Sequence, residues 1–483
     1  MKFVVKFFAE ITVKSRPVRK ALIKQLRHNV RLVLRKLDGD VVVSGNWDFI
    51  EVMSDQDHLR DEFIEHLSRI AGIAHFHFVR EFEFTDLDGV ALEAKKSYSD
   101  ALKGAVFAVR VRRVGSHNFS SVEAECHIGG CLKEWCEADS VRLKKPDVLV
   151  PIEIRNNTVW IIEQKTTGLG GYPIGSQDPV LSLISGGYDS TVSSYLTISR
   201  GLKTHFCFFN LGGDTHEIGV KQVSNFIWKK YGSEINVKFV TIPFEDVVTE
   251  ILTKVDNSQM GVILKRMMLR AATKIMPVVG AQALVTGESV AQVSSQTLIN
   301  LKVIDQVTEE LVLRPLITEN KQEIIDLAKS IGTAPFAASI PEYCGVISVK
   351  PTTRAKLFKI EHQETKFDFD VLDLAVENAK IESIQNVLDD VEKQHQGDVP
   401  VVRVPVSDEI IVDIRHPDEI DKKPLKVMGH QVIEMPFFTI NTRWSSLDQE
   451  ASYLLYCGKG VMSRIHASSL LGQGRQNIGV YLP

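Results

Sequence analysis

Apolar and polar residues alternate at the start of the chain, with Phe3, Val5 and Phe7 on one side, as in a half-buried strand. The period changes at Ser15, which with Pro17 reads as an N-cap and a first-turn proline. Val18, Leu22, Leu26, Val30 and Val33 then recur at spacings of three or four and predict a helix with one buried stripe. Arg19, Lys20, Lys24, Arg27, Arg31 and Arg35 fall mostly outside that stripe. Strands follow over 40–43 and 49–53 and a helix over 60–70, which together read as a small unit of strands and helices.

From about residue 76 to 164 short strands dominate. In 106–113 the alternation sets Phe107, Val109 and Val111 on one face and Arg110 and Arg112 on the other, with Arg113 next, inside a second small α/β module. Residues 166–178 (TTGLGGYPIGSQD) have the composition of a linker. Beyond them, strands over 180–184, 205–210, 237–242 and 283–286 alternate with helices from Ser190, over 217–231 and over 265–275. Such βα alternation predicts a doubly wound, largely parallel sheet. Residues 361–398 hold eleven acids against three bases and read as an acidic, solvated helical linker. A last module begins near Pro400. The expected division is 1–60, 61–165, a linker at 166–178, 179–395 with an acidic helical tail, and 404–483.

Length agrees, since 483 residues exceed one ordinary domain and suggest about three. With 44% hydrophobic and 24% charged residues the chain is neither fibrous nor disordered. The net charge of −4 does not point to a polyanion partner, but its distribution does. Residues 1–36 carry eleven Lys or Arg against Glu10 alone, so that end is +10 and the remainder −14. Six cysteines are too sparse for a disulfide scaffold, and no apolar run has the length of a signal peptide or a membrane span. The expected setting is cytoplasmic and reducing, without a membrane.

The most informative stretch is an apolar strand running into Ser185-Gly186-Gly187-Tyr188-Asp189-Ser190 and then a helix. Paired glycines let successive N–H groups curl around phosphate oxygens, and the helix dipole adds to the attraction. No GK[ST] ending follows, so hydrolysis between the β- and γ-phosphates is disfavoured. SGGYDS resembles the motif of the ATP pyrophosphatase (PP-loop) superfamily, whose members split ATP into AMP and pyrophosphate. That resemblance implies that Leu183 and Ile184 meet the adenine edge, that Ser185, Gly186, Gly187 and Ser190 meet phosphate, and that Asp189 is indispensable, with Mg2+ accompanying the nucleotide. Thr286-Gly287-Glu288-Ser289 and Asn210-Leu211-Gly212-Gly213 follow strands and fit the same site. Lys265, Arg266, Arg270 and Lys321 are candidate charges for the α-phosphate.

Near the other end, Cys457-Gly458-Lys459-Gly460 again follows a strand and precedes a helix. A nest of N–H groups favours anionic sulfur, as a sulfur carrier requires. With Asp413-Ile414-Arg415 upstream, the stretch resembles a rhodanese domain. Cys344, in PEYCG, would alone read as a packing cysteine; beside a persulfide carrier it is a candidate for thiol attack that leaves a disulfide. Cys126, Cys131 and Cys136 recur every five residues, which does not match the paired spacing of zinc sites, and no metal site is assigned.

The order of modules resembles the tRNA 4-thiouridine synthase family. Further stretches carry the likeness: RRVGSHNFSS, FFNLGGDTHE, LKRMMLR, TGESVAQVSSQTLINL, and RPLI followed by Lys321. The resemblance implies an α/β multidomain chain: a ferredoxin-like N-terminal module, a THUMP domain, a doubly wound PP-loop domain and a rhodanese-like C-terminal domain. It implies that ATP adenylates the uridine at position 8 of tRNA, that Cys457 carries persulfide sulfur from a cysteine desulfurase, and that Cys344 closes a disulfide onto Cys457. Lys265, Gly287 and Gln296 match nucleotide-contacting positions, and Lys321 a catalytic lysine. Lys20, Lys24, Arg27, Arg31, Arg110, Arg112 and Arg113 would grip the tRNA backbone. Sulfur supply to a carrier protein in thiamine thiazole synthesis is a further implied use, and homodimerisation stays undecided. The rival readings are another PP-loop RNA-modifying ligase, which leaves Cys457 unused, and an RNA-binding scaffold with a degenerate nucleotide loop. The CHIGGC stretch departs from the family pattern and leaves room for an added role.

Overall fold

The N-terminal alternation forms the strand Lys2–Phe7, with Phe3, Val5 and Phe7 buried beneath the helix Arg16–Leu34. A computed structural model describes residues 1–211, 214–340, 350–389, 399–406, 408–415, 417–458, 460–472 and 474–483. The chain divides into two units, 1–177 with 199–201, and 178–198 with 202–483.

The first unit is built on an eight-stranded sheet. Its order is Val42–Gly45, Phe49–Met53, Lys2–Phe7, Ile73–Glu83, Thr158–Thr167, Val148–Arg155, Val106–Val114 and Ser140–Val141. The long strand Ile73–Glu83 pairs antiparallel with Lys2–Phe7 on one side and Thr158–Thr167 on the other, so the two small modules share one sheet. Leu22, Leu26, Val30 and Val33 are buried as the helical period requires, whereas Val18 is exposed, so the buried stripe begins one turn later. Phe63 and Leu67 belong to the same core as that helix, which puts the helix Arg60–Leu67 with the first module rather than the second.

The stretch 166–178 is not a loose linker. Thr166 and Thr167 extend a strand, and Tyr172 and Ile174 are buried. Gly171, at φ +71°, lies so near the Ser199 carbonyl that a Cβ would stand 1.8 Å from its oxygen. Glycine here serves close backbone packing, which its sequence neighbourhood cannot distinguish from flexibility.

The second unit holds two sheets. The larger has the order Val312–Leu313, Ala283–Val285, Gln177–Leu183, Leu202–Asn210, Lys238–Pro243 and Lys380–Ser383. Ala283–Val285 pairs parallel with Val312–Leu313 and with Gln177–Leu183, Leu202–Asn210 pairs parallel with Lys238–Pro243, and the last strand is antiparallel. The chain leaves the central strand Gln177–Leu183 toward one edge and later returns to the other side, which makes the carboxyl end of that strand the switch point where a crevice opens. The described part of the acidic stretch, 361–389, joins this domain. The helices Leu357–Glu364 and Phe369–Glu377 bury Ile360, Leu372 and Ala375 in the main core, and the last strand comes from 380–383. Residues 390–398 lie outside the described ones.

The smaller sheet has the order Val401–Val402, Ile478–Tyr481, Tyr453–Tyr456, Ile410–Asp413 and Val432–Glu434, and its pairings are parallel. Among the described residues, no helix is long and apolar enough to cross a membrane.

Candidate active site

The strand Gln177–Leu183 delivers the chain to the switch point, and the Ile184 N–H donates to the Cys207 carbonyl at 2.8 Å, which fixes the exit direction. Gly186 takes φ +85°, a left-handed conformation that costs glycine least. The helix Tyr188–Ser199 follows at once, with its N-terminal dipole end at the loop. The loop is held from within. Ser185 donates its N–H to the Ser190 hydroxyl at 3.1 Å, and the Ser190 and Thr191 hydroxyls donate to the Gly187 carbonyl at 3.2 and 3.1 Å. His216 donates from Nε2 to the Ser185 carbonyl at 3.1 Å, and burial keeps its pKa below the ordinary histidine value although that bond opposes the shift.

Asp189 is reached from two other segments. Lys321, first residue of the helix Lys321–Ile331, places its Nζ 2.9 and 3.0 Å from the two carboxylate oxygens, and Gln292 donates to one of them at 2.8 Å. Gly287 presses its backbone against this corner: a Cβ there would stand 2.6 Å from the Asp189 carbonyl carbon and 2.8 Å from the Ser190 nitrogen. Only glycine permits that approach.

Behind this corner lies a buried charge cluster. Lys265 Nζ is 2.6 Å from Glu288, and Arg314 reaches Glu288 at 2.7 Å and Asp305 at 2.5 Å. Burial pushes the Glu288 carboxyl upward, but attraction to Lys265 and Arg314 overrides it and holds the pKa at about 2. Lys265 therefore arrives at the site already oriented by a carboxylate. Gln296 is buried, and its Oε1 has no hydrogen-bond partner among the described residues, an acceptor turned away from water with nothing to accept from. Arg266 and Arg270 are engaged by a carboxylate: Arg266 is buried with a two-pronged contact to Glu364 at 2.7 and 2.8 Å, and Arg270 reaches the same carboxylate at 3.4 Å. The buried fork of Arg266 uses its charge locally. Sequence reasoning assigned no role to Gln292, His216 or Arg314, although all three stand inside stretches that carried the family likeness.

In the C-terminal sheet, Cys457 sits at the carboxyl end of the strand Tyr453–Tyr456, before the helix Val461–Gly472. The Ser463 N–H points at its sulfur at 3.3 Å, and the Ser463 hydroxyl is 3.4 Å away. The loop turns through Gly460 at φ +76°, whose N–H donates to the Cys457 carbonyl at 3.2 Å. The cysteine is 6% exposed, so a sulfur donor must reach into the loop. Arg415 contacts both Asp413 carboxylate oxygens and lies 5.2 Å over the Tyr456 ring, bracing the strand that ends at Cys457. The helix bearing Ser463 also meets the nucleotide-loop domain, where the Gln222 amide donates to His466 Nε2 at 3.2 Å; beside it Phe336 packs on Phe437, of the turn Phe437–Thr439, with ring centres 5.0 Å apart. Burial lowers the His466 pKa to about 4, so the ring is a neutral acceptor. Cys344 lies outside the described residues.

In the first unit, Lys20, Lys24 and Arg112 are exposed. Arg27, Arg31, Arg110 and Arg113 are half-buried; Arg31 donates to the Val43 carbonyl at 2.8 Å, Arg110 to the Leu143 carbonyl at 2.8 Å, and Arg113 lies 5.6 Å over the Phe119 ring.

Three family profiles match the chain: a ThiI ferredoxin-like domain over residues 2–76, a THUMP domain over 83–162, and "Thiamine biosynthesis protein (ThiI)" over 175–369. A tRNA sulfurtransferase of Azotobacter vinelandii is 50% identical over 485 residues, covering 100% of both chains. One from Shewanella pealeana is likewise 50% identical with full coverage of both. Among solved structures, a 4-thiouridine synthetase in complex with RNA and bound ATP matches with a TM-score of 0.70 at 24% identity, over 79% of this chain and 99% of that one. PH1313 from Pyrococcus horikoshii matches with a TM-score of 0.53 at 20% identity, over 69% of this chain and 100% of that one. At these identities the two structures speak to fold.

Proposed function

The chain belongs to the tRNA sulfurtransferase family, and from that premise we propose how its residues divide the work of an ATP-dependent sulfur transfer to tRNA. ATP binds with its phosphates against Ser185, Gly186, Gly187 and Ser190 and its adenine edge against Leu183 and Ile184. Gln296 offers its unpartnered Oε1 to the nucleotide, and Lys265 its charge. The carboxylate of Asp189 fits a magnesium ion carried in with the phosphates, a hard cation that takes oxygen donors and neutralises charge. Lys321, 2.9 Å from Asp189, is placed to stabilise charge on the phosphates as pyrophosphate departs.

The uridine O4 attacks the α-phosphorus, and pyrophosphate leaves. The terminal sulfur of a Cys457 persulfide attacks C4, and AMP leaves with the former O4. Cys344 as thiolate attacks the Cys457 sulfur, breaking the S–S bond so that sulfur stays on the base, and a Cys344–Cys457 disulfide remains for a dithiol reductant to open. The C-terminal domain acts as a rhodanese-like carrier, a reading supported by its parallel sheet and by the N–H directed at the Cys457 sulfur. A cysteine desulfurase supplies the persulfide in the cytoplasm, where tRNA is met. The thiamine description of the matching profile supports a second use of the same thiol for thiazole synthesis.

The observation that carries this reading is the clamp of Lys321 and Gln292 on Asp189 at a preorganised phosphate loop. Incubation with labelled ATP tests it. Pyrophosphate release should require both tRNA and Asp189, and Asp189→Asn should lower it by about 10²–10³, the cost of removing one aligned electrostatic group. Release that ignores tRNA, or survives Asp189→Asn unchanged, would refute it.

A further inference from the structure

The CHIGGC stretch lies on the helix Ser121–Trp135 of the first unit, whereas the nucleotide loop belongs to the second. His127 and Cys131 are four residues apart and share one helix face. Across from them stands Asp88, in the first turn of the helix Leu87–Leu102. His127 Nε2 is 2.7 Å and Cys131 Sγ 3.9 Å from the same Asp88 oxygen, and the three ligand atoms lie within 4.8 Å of one another. Metal–ligand lengths near 2.0 Å for N and O and 2.3 Å for S put the edges of a tetrahedral site at about 3.3–3.5 Å, inside the spread seen here.

The frame beneath is fixed. Val90, Ala91 and Ala94 of one helix and Ala124, Ile128 and Leu132 of the other share a core, so the ligating residues ride on packed neighbours. Asp86 caps the first helix through the Gly89 N–H at 2.7 Å, and a Ser120–Glu123 capping box starts the second. Gly130, between the two helix ligands, faces open space.

We propose that Asp88, His127 and Cys131 bind a divalent cation of the zinc class, with a fourth position left to water. The donor set of one imidazole, one thiolate and one carboxylate suits a borderline-soft ion and not magnesium or calcium. The ion would pin the helices Leu87–Leu102 and Ser121–Trp135 to each other, independently of the sulfur-transfer chemistry. The cysteine spacing hides the site, because its other ligands come from a neighbouring residue and a distant helix.

The full-length chain, freed of metal by chelation, is titrated with Co2+ as a spectroscopic probe and with Zn2+ by calorimetry. We expect a sulfur-to-cobalt charge-transfer band with tetrahedral visible bands, removed by Zn2+. Cys131→Ser should lose that band and one equivalent of Zn2+, and His127→Ala should weaken binding at least tenfold. Cys126→Ser, altering an exposed cysteine outside the triad, should keep both signals. These side chains are partly or fully exposed, and circular dichroism verifies folding. Equal Zn2+ stoichiometry and equal cobalt spectra for the wild-type chain and Cys131→Ser would overturn the proposal.

Discussion

Gly287 shows how one absent carbon governs a site. Its backbone fills the place where a methyl group would meet the Asp189 carbonyl carbon at 2.6 Å, and those atoms are main chain that cannot swing aside. Gly287→Ala should therefore displace the start of the loop helix and lower tRNA-dependent pyrophosphate release at least tenfold, measured beside the thermal midpoint of the same variant. Undiminished release would show that the loop tolerates the shift. Asp189 was legible in the sequence because SGGYDS states its own geometry, a tight turn feeding a helix. Gln292 and Lys321 were not equally legible as its partners, since they lie over a hundred residues away and only the fold brings them to one carboxylate.

At the scale of elements, Glu288 ties the end of the strand Ala283–Val285 to the helix Met260–Val279 through Lys265 and to the strand Val312–Leu313 through Arg314. Its folded-state pKa of about 2 lies below the ordinary 4.5, so its contribution is complete above 4.5 and is lost as pH falls through about 2. Thermal unfolding followed from pH 5 to pH 2 should show falling stability. Glu288→Gln should be less stable at pH 7, by about 3–5 kcal/mol for a broken buried pair, and should lose part of that pH dependence. Equal pH profiles for the two chains would contradict this. The alternating strands and helices of this domain were readable from hydrophobic period alone. Within the acidic stretch, the described residues 361–389 pack into the domain in a way that a count of charges cannot reveal: Glu364 is buried on Arg266, and the strand Lys380–Ser383 gains its place only from the edge of a sheet formed earlier in the chain.

For the whole molecule, the order of the ferredoxin-like, THUMP and ThiI modules was visible in the sequence, since each carries its own period and motif. The continuity of the first sheet was not, because local alternation cannot say that Ile73–Glu83 has partners on both sides. The charge asymmetry belongs to this scale too. Lys20, Lys24 and Arg112 are exposed cations, so tRNA affinity should fall steeply and linearly on a logarithmic plot against salt. Each substitution to alanine among them should reduce the slope by roughly one if the residue meets a phosphate, and an unchanged slope would place the contact elsewhere. The account as a whole rests on a nucleotide loop that activates the base and a separate thiol that brings sulfur. It is tested most directly by mass spectrometry of tRNA after reaction with ATP, a persulfide donor, and either the wild-type chain or Cys457→Ala. Replacement of oxygen by sulfur at uridine should appear with the wild type and be absent with Cys457→Ala, while pyrophosphate release persists in both. Sulfur in the tRNA at wild-type level with Cys457→Ala would contradict the account.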